Sequence, residues 1–428
     1  MPSRFYFDTV LDEVDICNLH SERTRIAAAI GNGEKILLYG RRNSGKTSLA
    51  KVMAAKWKAG LGHGGMFVYV DFYGVASMTQ IASRLSAAMA EGYKKAFPAR
   101  AALSAALEIA KSLRPKMDFD PDGEISVSLG LTEGPNKGVS EIIAALGAMK
   151  QRKIPVLLVM DEFQDIHQAA EAEGILRGCL QTLPHDIPVI ILGSKRHLLT
   201  TMFNSPNAAF FNWGTHIEFG EIPYDEYWGY MSERFAEVGL SISQETSRIL
   251  QDELDRVAEA INRVCARLCN QFPARGELQR VHVHEAVRDL VESRQSTIEQ
   301  YLGRFTEDQE RALLTLARRG GLERHPMSRD FTAAARLSLT GARKIFAKLE
   351  DESAIYRRGD GAYLFTDPLV RLHLLRFRGN LSLARKRQRL VRAERNSRAL
   401  LPNSLLRGGL GLLVSKSAAE LEHLNCSR

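Results

Sequence analysis

The sequence predicts an α/β protein: a three-layer parallel sheet around a phosphate-binding loop (P-loop), continued by a helical lid and a C-terminal winged helix. Three observations carry this expectation. In LLYGRRNSGKTSLAKVM (37–53) a short apolar strand runs into a glycine-bounded loop and then into a helix-forming stretch. In IPVLLVMDEFQDI (154–166) an uninterrupted apolar run ends in two carboxylates, the pattern of a fully buried parallel strand whose C-terminal end reaches a site. Strand-like and helical segments alternate through the first half of the chain, which implies a parallel sheet with helices on both faces.

Taken in order, residues 36–39 read as the first strand, and Gly40-Arg41-Arg42-Asn43-Ser44-Gly45-Lys46-Thr47 matches G-x-x-x-x-G-K-[ST] at every fixed position. Backbone N–H groups turned inward at a helix N-terminus cradle phosphate. Gly40 and Gly45 serve backbone angles and close approach, Lys46 brings a point charge to the β- and γ-phosphates, and the Thr47 hydroxyl is a candidate Mg²⁺ ligand. With Ser48 in the first helical turn, residues 40–48 form the expected nucleotide-binding set. In the second motif Asp161 stands at the strand tip to hold the Mg²⁺ shell, and Glu162 is placed to orient and deprotonate an attacking water.

Residues 66–71 (MFVYVD), 189–192 (VIIL) and 216–219 (HIEF) supply three more strands. Ser194, just beyond VIILG, falls where a hydroxyl could reach a γ-phosphate or the lytic water; a plain turn serine is the other reading. Residues 116–131 alternate around Pro-Asp-Gly as a hairpin inserted in the core. From 224 to 300 the pattern is helical without strand signals, the expected lid. Helices are expected at 306–317, which opens on a Thr-Glu-Asp-Gln capping box, at 328–335 and at 340–350, followed by a hairpin at 355–365 turning on Gly-Asp-Gly. That order is a winged helix. The expected division is 1–223 core, 224–300 lid, 301–378 winged helix and 379–428 tail.

With 428 residues the chain exceeds one core, and 45% hydrophobic and 25% charged residues is ordinary globular composition. No apolar run reaches the roughly 18 residues of a membrane span and the N-terminal stretch has no signal-peptide character, so a cytoplasmic protein without membrane contact is the expectation. Five scattered cysteines form no disulfide framework. Cys265 and Cys269 lie one helical turn apart, but no neighbouring His or Cys completes a metal site, and they read as small core hydrophobes. Net charge is +8, and residues 379–428 hold ten Lys or Arg against three Glu, so the basic excess sits at one end.

The series GRRNSGKTSL, FVYVDFYG, VLLVMDEFQDI and IILGSKRHLL, with LEDESAIYRRGDGAYLFTDPL near the C-terminus, resembles the archaeal-type AAA ATPases, a group similar to the STAND switch NTPases and the origin-recognition ATPases. The resemblance spans residues 8–378 and implies an AAA-like core with ATP and Mg²⁺ as cofactors. It gives Ser194 the sensor 1 position and makes Arg263, in AEAINRVCARL, the candidate for sensor 2 on the lid; a surface arginine is the alternative. The preference for ATP over GTP follows from the resemblance; no guanine-reading N-K-x-D motif stands out. The chain departs from the group in AFFNWGTHIEF (209–219), which lacks the arginine these proteins often carry before the last core strand; Arg196 is the nearest substitute.

Two functions remain open at this stage. One is an ATP-hydrolysing molecular switch that couples nucleotide state to double-stranded DNA: Arg343, Lys344 and Lys348 would enter the major groove, Arg357 and Arg358 on the wing would touch phosphate, and a basic tail with Arg385, Lys386, Arg387, Arg389 and Arg392 would add sequence-independent contacts. The other is a STAND-like signalling or scaffold NTPase whose winged helix holds a protein partner. A small-acceptor kinase would use the same loop, but the Asp-Glu pair and the downstream winged helix argue against it.

Overall fold

The computed structural model describes residues 5–17, 19–61, 64–97, 134–272 and 276–379, together with two strands at 115–119 and 125–129. The chain divides into two units, Met1–His373 and Leu374–Arg428. The first contains every element of the site.

Its core follows the expected alternation: α1 (His20–Gly31), β1 (Lys35–Gly40), α2 (Lys46–Gly60), β2 (Met66–Asp71), α3 (Met78–Ala96), an antiparallel pair β3 (Pro115–Phe119) and β4 (Ile125–Leu129), α4 (Pro135–Gln151), β5 (Val156–Asp161), α5 (Ala172–Gln181), β6 (Val189–Gly193), α6 (Arg196–Asn204) and β7 (Thr215–Phe219). β1, β2, β5, β6 and β7 form one parallel sheet in the order β2-β5-β6-β1-β7. The period-2 alternation of a strand sends Ile36, Leu38, Leu157, Val159, Ile190 and Leu192 against α1 and α2, while Leu37, Leu158, Met160 and Ile191 join the cluster under α3, α4 and α5. Both faces are therefore covered, which is why these strands read as continuous apolar runs.

Next come α7 (Tyr224–Glu237), β8 (Leu240–Ile242), α8 (Gln244–Glu253), α9 (Ala258–Gln271), β9 (Gly276–Leu278), α10 (Arg280–Ser293) and α11 (Gln295–Leu302). The expectation of a strand-free stretch needs correction, because β8 and β9 pair in parallel between these helices. Three residues apiece are too few to print a strand period in the sequence. The segment after it runs α12 (Glu307–Arg318), β10 (Leu322–Glu323), α13 (Arg329–Ala335), α14 (Leu339–Asp351), β11 (Ile355–Arg357), β12 (Tyr363–Phe365) and α15 (Pro368–His373). Its boundaries are set by local chemistry. Thr306 and Gln309 exchange side-chain bonds with each other's backbone N–H at 3.3 and 2.8 Å, and Ser328 and Ser338 cap α13 and α14. β10, which the sequence did not signal, pairs with β12 to make a three-stranded antiparallel sheet with β11. Of the second unit only residues 374–379 are described, beginning with a π-helical turn, Leu374–Arg378.

Gly40 ends β1 opposite Phe219 of β7, and a Cβ there would lie 2.8 Å from both the Phe219 Cβ and its carbonyl oxygen. Close approach of two strands therefore demands glycine at this position. Gly40→Ala is expected to destabilise the protein by about 1–3 kcal/mol through overpacking, read as a lowered urea midpoint at unchanged slope.

Candidate functional site: a phosphate-binding loop and two carboxylates

The loop between β1 and α2 adopts the conformation its residues favour. Asn43 and Gly45 take left-handed backbone angles, φ 60° and 93°, positions open to Asn and Gly but strained for larger side chains. Nothing lies within 4 Å of a Cβ built on Gly45, so backbone conformation rather than space selects glycine there. Lys46 is 7% exposed, and its Nζ donates to the Arg41 carbonyl at 2.6 Å and to Ser44 Oγ at 3.4 Å; Ser44 Oγ donates to the same carbonyl at 2.7 Å. Burial pushes the Lys46 ammonium down to about 8, against the opposing pull of Glu162 and Asp161. Its hydrogen-bond partners are neutral oxygens, so an anion entering the loop meets an ammonium that is in no ion pair among the described residues.

Sheet order assembles the rest. β6 lies between β1 and β5, so the residue just past β6 falls between the loop and the carboxylates at the end of β5. Asp161, 4% exposed, accepts at Oδ2 from Thr47 Oγ1 (2.6 Å) and from the Tyr69 hydroxyl (2.8 Å), and at Oδ1 from the Glu162 N–H (2.8 Å). Glu162 turns away from the strand in a left-handed conformation, φ 46°. Its Oε2 accepts from Gln164 Nε2 at 2.5 Å and from Ser194 Oγ at 2.9 Å. Ser194 is thus held on the carboxylate at the end of β5.

The remaining expected residues have divided loyalties. Arg41 contributes its carbonyl to the loop, but its guanidinium leaves the loop and donates to the Asp255 carbonyl at 2.8 Å and to the Phe365 carbonyl. Arg42 is exposed, over the Tyr73 ring at 5.9 Å. Ser48 Oγ accepts from the Leu11 N–H at 3.0 Å and so pins the N-terminal segment to α2. Arg263 pairs with Glu259 at 2.8 Å and with Asp8, and stacks over Phe7 at 4.6 Å. A cavity of about 650 Å³ brings these groups together, lined by loop residues 42–48, Glu162, Arg263, the N-terminal segment including Phe7 and Asp8, and Asp367. Arg263 faces the cavity with its charge already matched by two carboxylates.

Several participants were missed from sequence. Tyr69 and Gln164 bond the two carboxylates directly, and residues 6–11 form a cavity wall. Tyr69, in FVYVD, lies on the strand beside that of Asp161, but strand adjacency is not written in the chain. Burial beside Asp161 drives the Tyr69 hydroxyl well above its usual range and keeps it a donor.

Arg343, Lys344 and Lys348 are exposed on α14, and Lys348 pairs with Glu352 at 3.3 Å. Arg357 is exposed over Tyr363. Arg358 corrects the expectation of a wing free for phosphate: it pairs with Asp360 at 2.7 Å and faces Glu221 at 3.6 Å, so the turn of the hairpin is tied to the end of the core. Arg196 likewise pairs with Glu218 of β7. The basic tail with Arg385, Lys386, Arg387, Arg389 and Arg392 lies outside the described residues.

Among the described residues no helix is long and apolar enough to cross a membrane. No family model and no curated protein matches the sequence. Solved structures do match in three dimensions. The Walker-type ATPase PABY2304 of Pyrococcus abyssi superposes with a TM-score of 0.59 at 15% identity, over 87% of this chain and 99% of the other. The ORC2 protein of Aeropyrum pernix, in its ADPNP-ADP complexes, superposes with a TM-score of 0.54 at 14% identity, over 90% and 98%. At these identities the likeness speaks for the fold alone: this chain shares with both proteins a mixed α/β fold built on a five-stranded parallel sheet.

Proposed function

We propose that the protein is an ATP-binding and ATP-hydrolysing molecular switch whose nucleotide state governs DNA binding through the winged helix and basic tail. The observation that carries this reading is the joined geometry of the loop and the carboxylates: Thr47 on Asp161 at 2.6 Å and Ser194 on Glu162 at 2.9 Å, with Thr47 and Glu162 both lining a cavity of about 650 Å³. The matching fold of an ORC2 protein solved with ADPNP and ADP supports a nucleotide as the ligand.

In this reading the backbone N–H groups of residues 41–48 and the Lys46 ammonium hold the β- and γ-phosphates. Thr47 Oγ1 and Asp161 Oδ2, two hard oxygens side by side, suit Mg²⁺, which takes few protein ligands and fills its shell with phosphate and water. Among the described residues no cluster of three or more His, Cys, Asp or Glu forms a closed metal cage, consistent with that open mode. Bound Mg²⁺ would neutralise charge on the phosphates. Glu162 takes the proton of the attacking water, and Ser194 acts beside it. Arg263 and Asp8 close the cavity from the lid and the N-terminal segment, with Arg263 available to an anion once its pairing is exchanged.

The exposed Arg343, Lys344 and Lys348 favour DNA as the partner of α14, with the tail adding phosphate contacts. A protein partner in a scaffold role is the second reading. It is favoured by the Arg358–Glu221 contact, which engages one wing arginine within the protein while leaving it partly exposed.

Lys46→Ala is expected to abolish nucleotide binding in calorimetry. In the wild type, affinity should hold below pH 8 and weaken above it, because free Lys46 loses its proton near 8 whereas phosphate-bound Lys46 keeps it; binding then takes up a proton, at a limiting slope of about tenfold per pH unit. Glu162→Gln is expected to bind ATP normally and turn it over about 10²–10⁴ times more slowly. Removal of residues 379–428 should weaken binding to all DNA sequences alike and flatten its salt dependence by about 0.9 per lost contact, while the Arg343→Ala, Lys344→Ala pair should blunt sequence preference; fluorescence anisotropy at several salt concentrations reads both. If wild-type protein binds no DNA at low salt, the scaffold reading wins.

A further inference from the structure

Four consecutive residues after β6, Ser194-Lys195-Arg196-His197, send their side chains to four different places. Ser194 Oγ donates to Glu162 Oε2 at 2.9 Å. Lys195 Nζ pairs with Asp165 Oδ1 at 3.3 Å; that carboxylate, 4% exposed, is also within 3.4 Å of Gln164 Nε2, which donates to Glu162. Arg196 pairs with Glu218 at the end of β7 and lies beside Tyr356 on β11. His197 presents Nε2 to Asp351 at 2.8 Å and Nδ1 to Glu350 at 3.6 Å, both at the C-terminal end of α14. A segment that begins on the carboxylate of β5 thus ends on the helix whose exposed face carries Arg343 and Lys344. α14 and the hairpin engage Arg196 and His197 in the first turn of α6, while Leu199, Met202 and Phe203 anchor the rest of that helix in the core, so a shift of α14 or the hairpin acts on the first turn. With only one or two residues between, Ser194 has little slack to stay where it is.

We propose that His197 is a positioning residue for hydrolysis, acting through Ser194: α14 and the hairpin, docked on α6, keep the Ser194 hydroxyl on Glu162 and restrain the base, and undocking releases it. The proposal rests on the reading of Glu162 as the base. Its direction follows from charge-assisted hydrogen bonding. A carboxylate oxygen that accepts from both Ser194 and Gln164 is fixed in place, with its lone pairs occupied rather than open to an attacking water. The docked arrangement is therefore a brake, and a macromolecule that pulls on α14 would lift it.

The test compares kcat and KM for Mg·ATP in full-length wild type, His197→Ala, His197→Gln and Asp351→Ala, and repeats His197→Ala in a Ser194→Ala background by single-turnover kinetics. The expected result is a rise in kcat of about three- to tenfold for His197→Ala and Asp351→Ala with KM within about twofold of wild type. His197→Gln, which keeps a donor toward Asp351, should stay near wild type. In the Ser194→Ala background His197→Ala should change nothing, because the link it acts through is gone. An unchanged or lowered kcat in His197→Ala, or an equal ratio in both backgrounds, would overturn the proposal. Melting temperatures identify a variant that has not folded; Asp351→Ala, at the other end of the same hydrogen bond, then decides. A wild type without ATPase activity overturns the function and the proposal together, whereas an active wild type whose variants match it overturns the coupling alone.

Discussion

The burial of two opposite charges at the C-terminal edge of one sheet is the constraint on which the architecture depends. Lys46 and Asp161 are 7% and 4% exposed, and a charge removed from water must find hydrogen bonds or be expelled. Asp161 finds three, from the Thr47 hydroxyl on α2, the Tyr69 hydroxyl on β2 and the N–H of Glu162 on its own chain. Those donors come from three separate segments, so satisfying the carboxylate requires β2 beside β5 and the start of α2 above both. Lys46 is served by the loop's own oxygens, and its burial lowers its proton affinity. The sheet holds these groups at fixed separation because its strands are packed on both faces by apolar side chains.

A second buried arrangement ties the loop to distant parts of the first unit. Arg371, 8% exposed, grips Asp255 with Nε at 3.1 Å and a terminal nitrogen at 2.9 Å, and Arg41 donates to the Asp255 carbonyl. Burial raises the Asp255 carboxyl despite two nearby guanidinium groups, so the pair is maintained by geometry as much as by attraction. Breaking one partner would strand the other in a poorly solvated place. Arg41 therefore gives the phosphate loop a direct mechanical connection to the segment after α8 and to the end of β12. Together with residues 194–197, it makes two chains of direct contact between the C-terminal edge of the sheet and the C-terminal helices and hairpin.

The apolar runs at 36–39, 156–161 and 189–192 were legible as strands because a two-faced parallel sheet demands unbroken hydrophobicity; 66–71 and 216–219, on the two edge strands, alternate between buried and more exposed positions instead, and helix starts were legible where Thr306 and Ser328 supply caps. Short pairings such as β8 with β9 were not, since three residues cannot establish a period. The spacing of Gly40, Gly45, Lys46 and Thr47 was likewise legible, because a loop that folds around an anion draws its glycines, cation and hydroxyl from neighbouring positions.

By itself, then, the sequence determined what is local: the loop conformation, the strand that ends in Asp161 and Glu162, and the caps and turns of the C-terminal segment. The tertiary structure alone decided which distant groups meet. Tyr69 reaches Asp161 across 92 residues, Ser194 reaches Glu162 across 32, and Arg263 spends its charge on Asp8, 255 residues away. It also decided that Arg41 would serve the C-terminal hairpin and that Arg358 would turn inward to Glu221. The reason is physical. Backbone angles and hydrophobic period are properties of adjacent residues, whereas the partner of a charged side chain is chosen by strand order and packing, which no stretch of the chain contains.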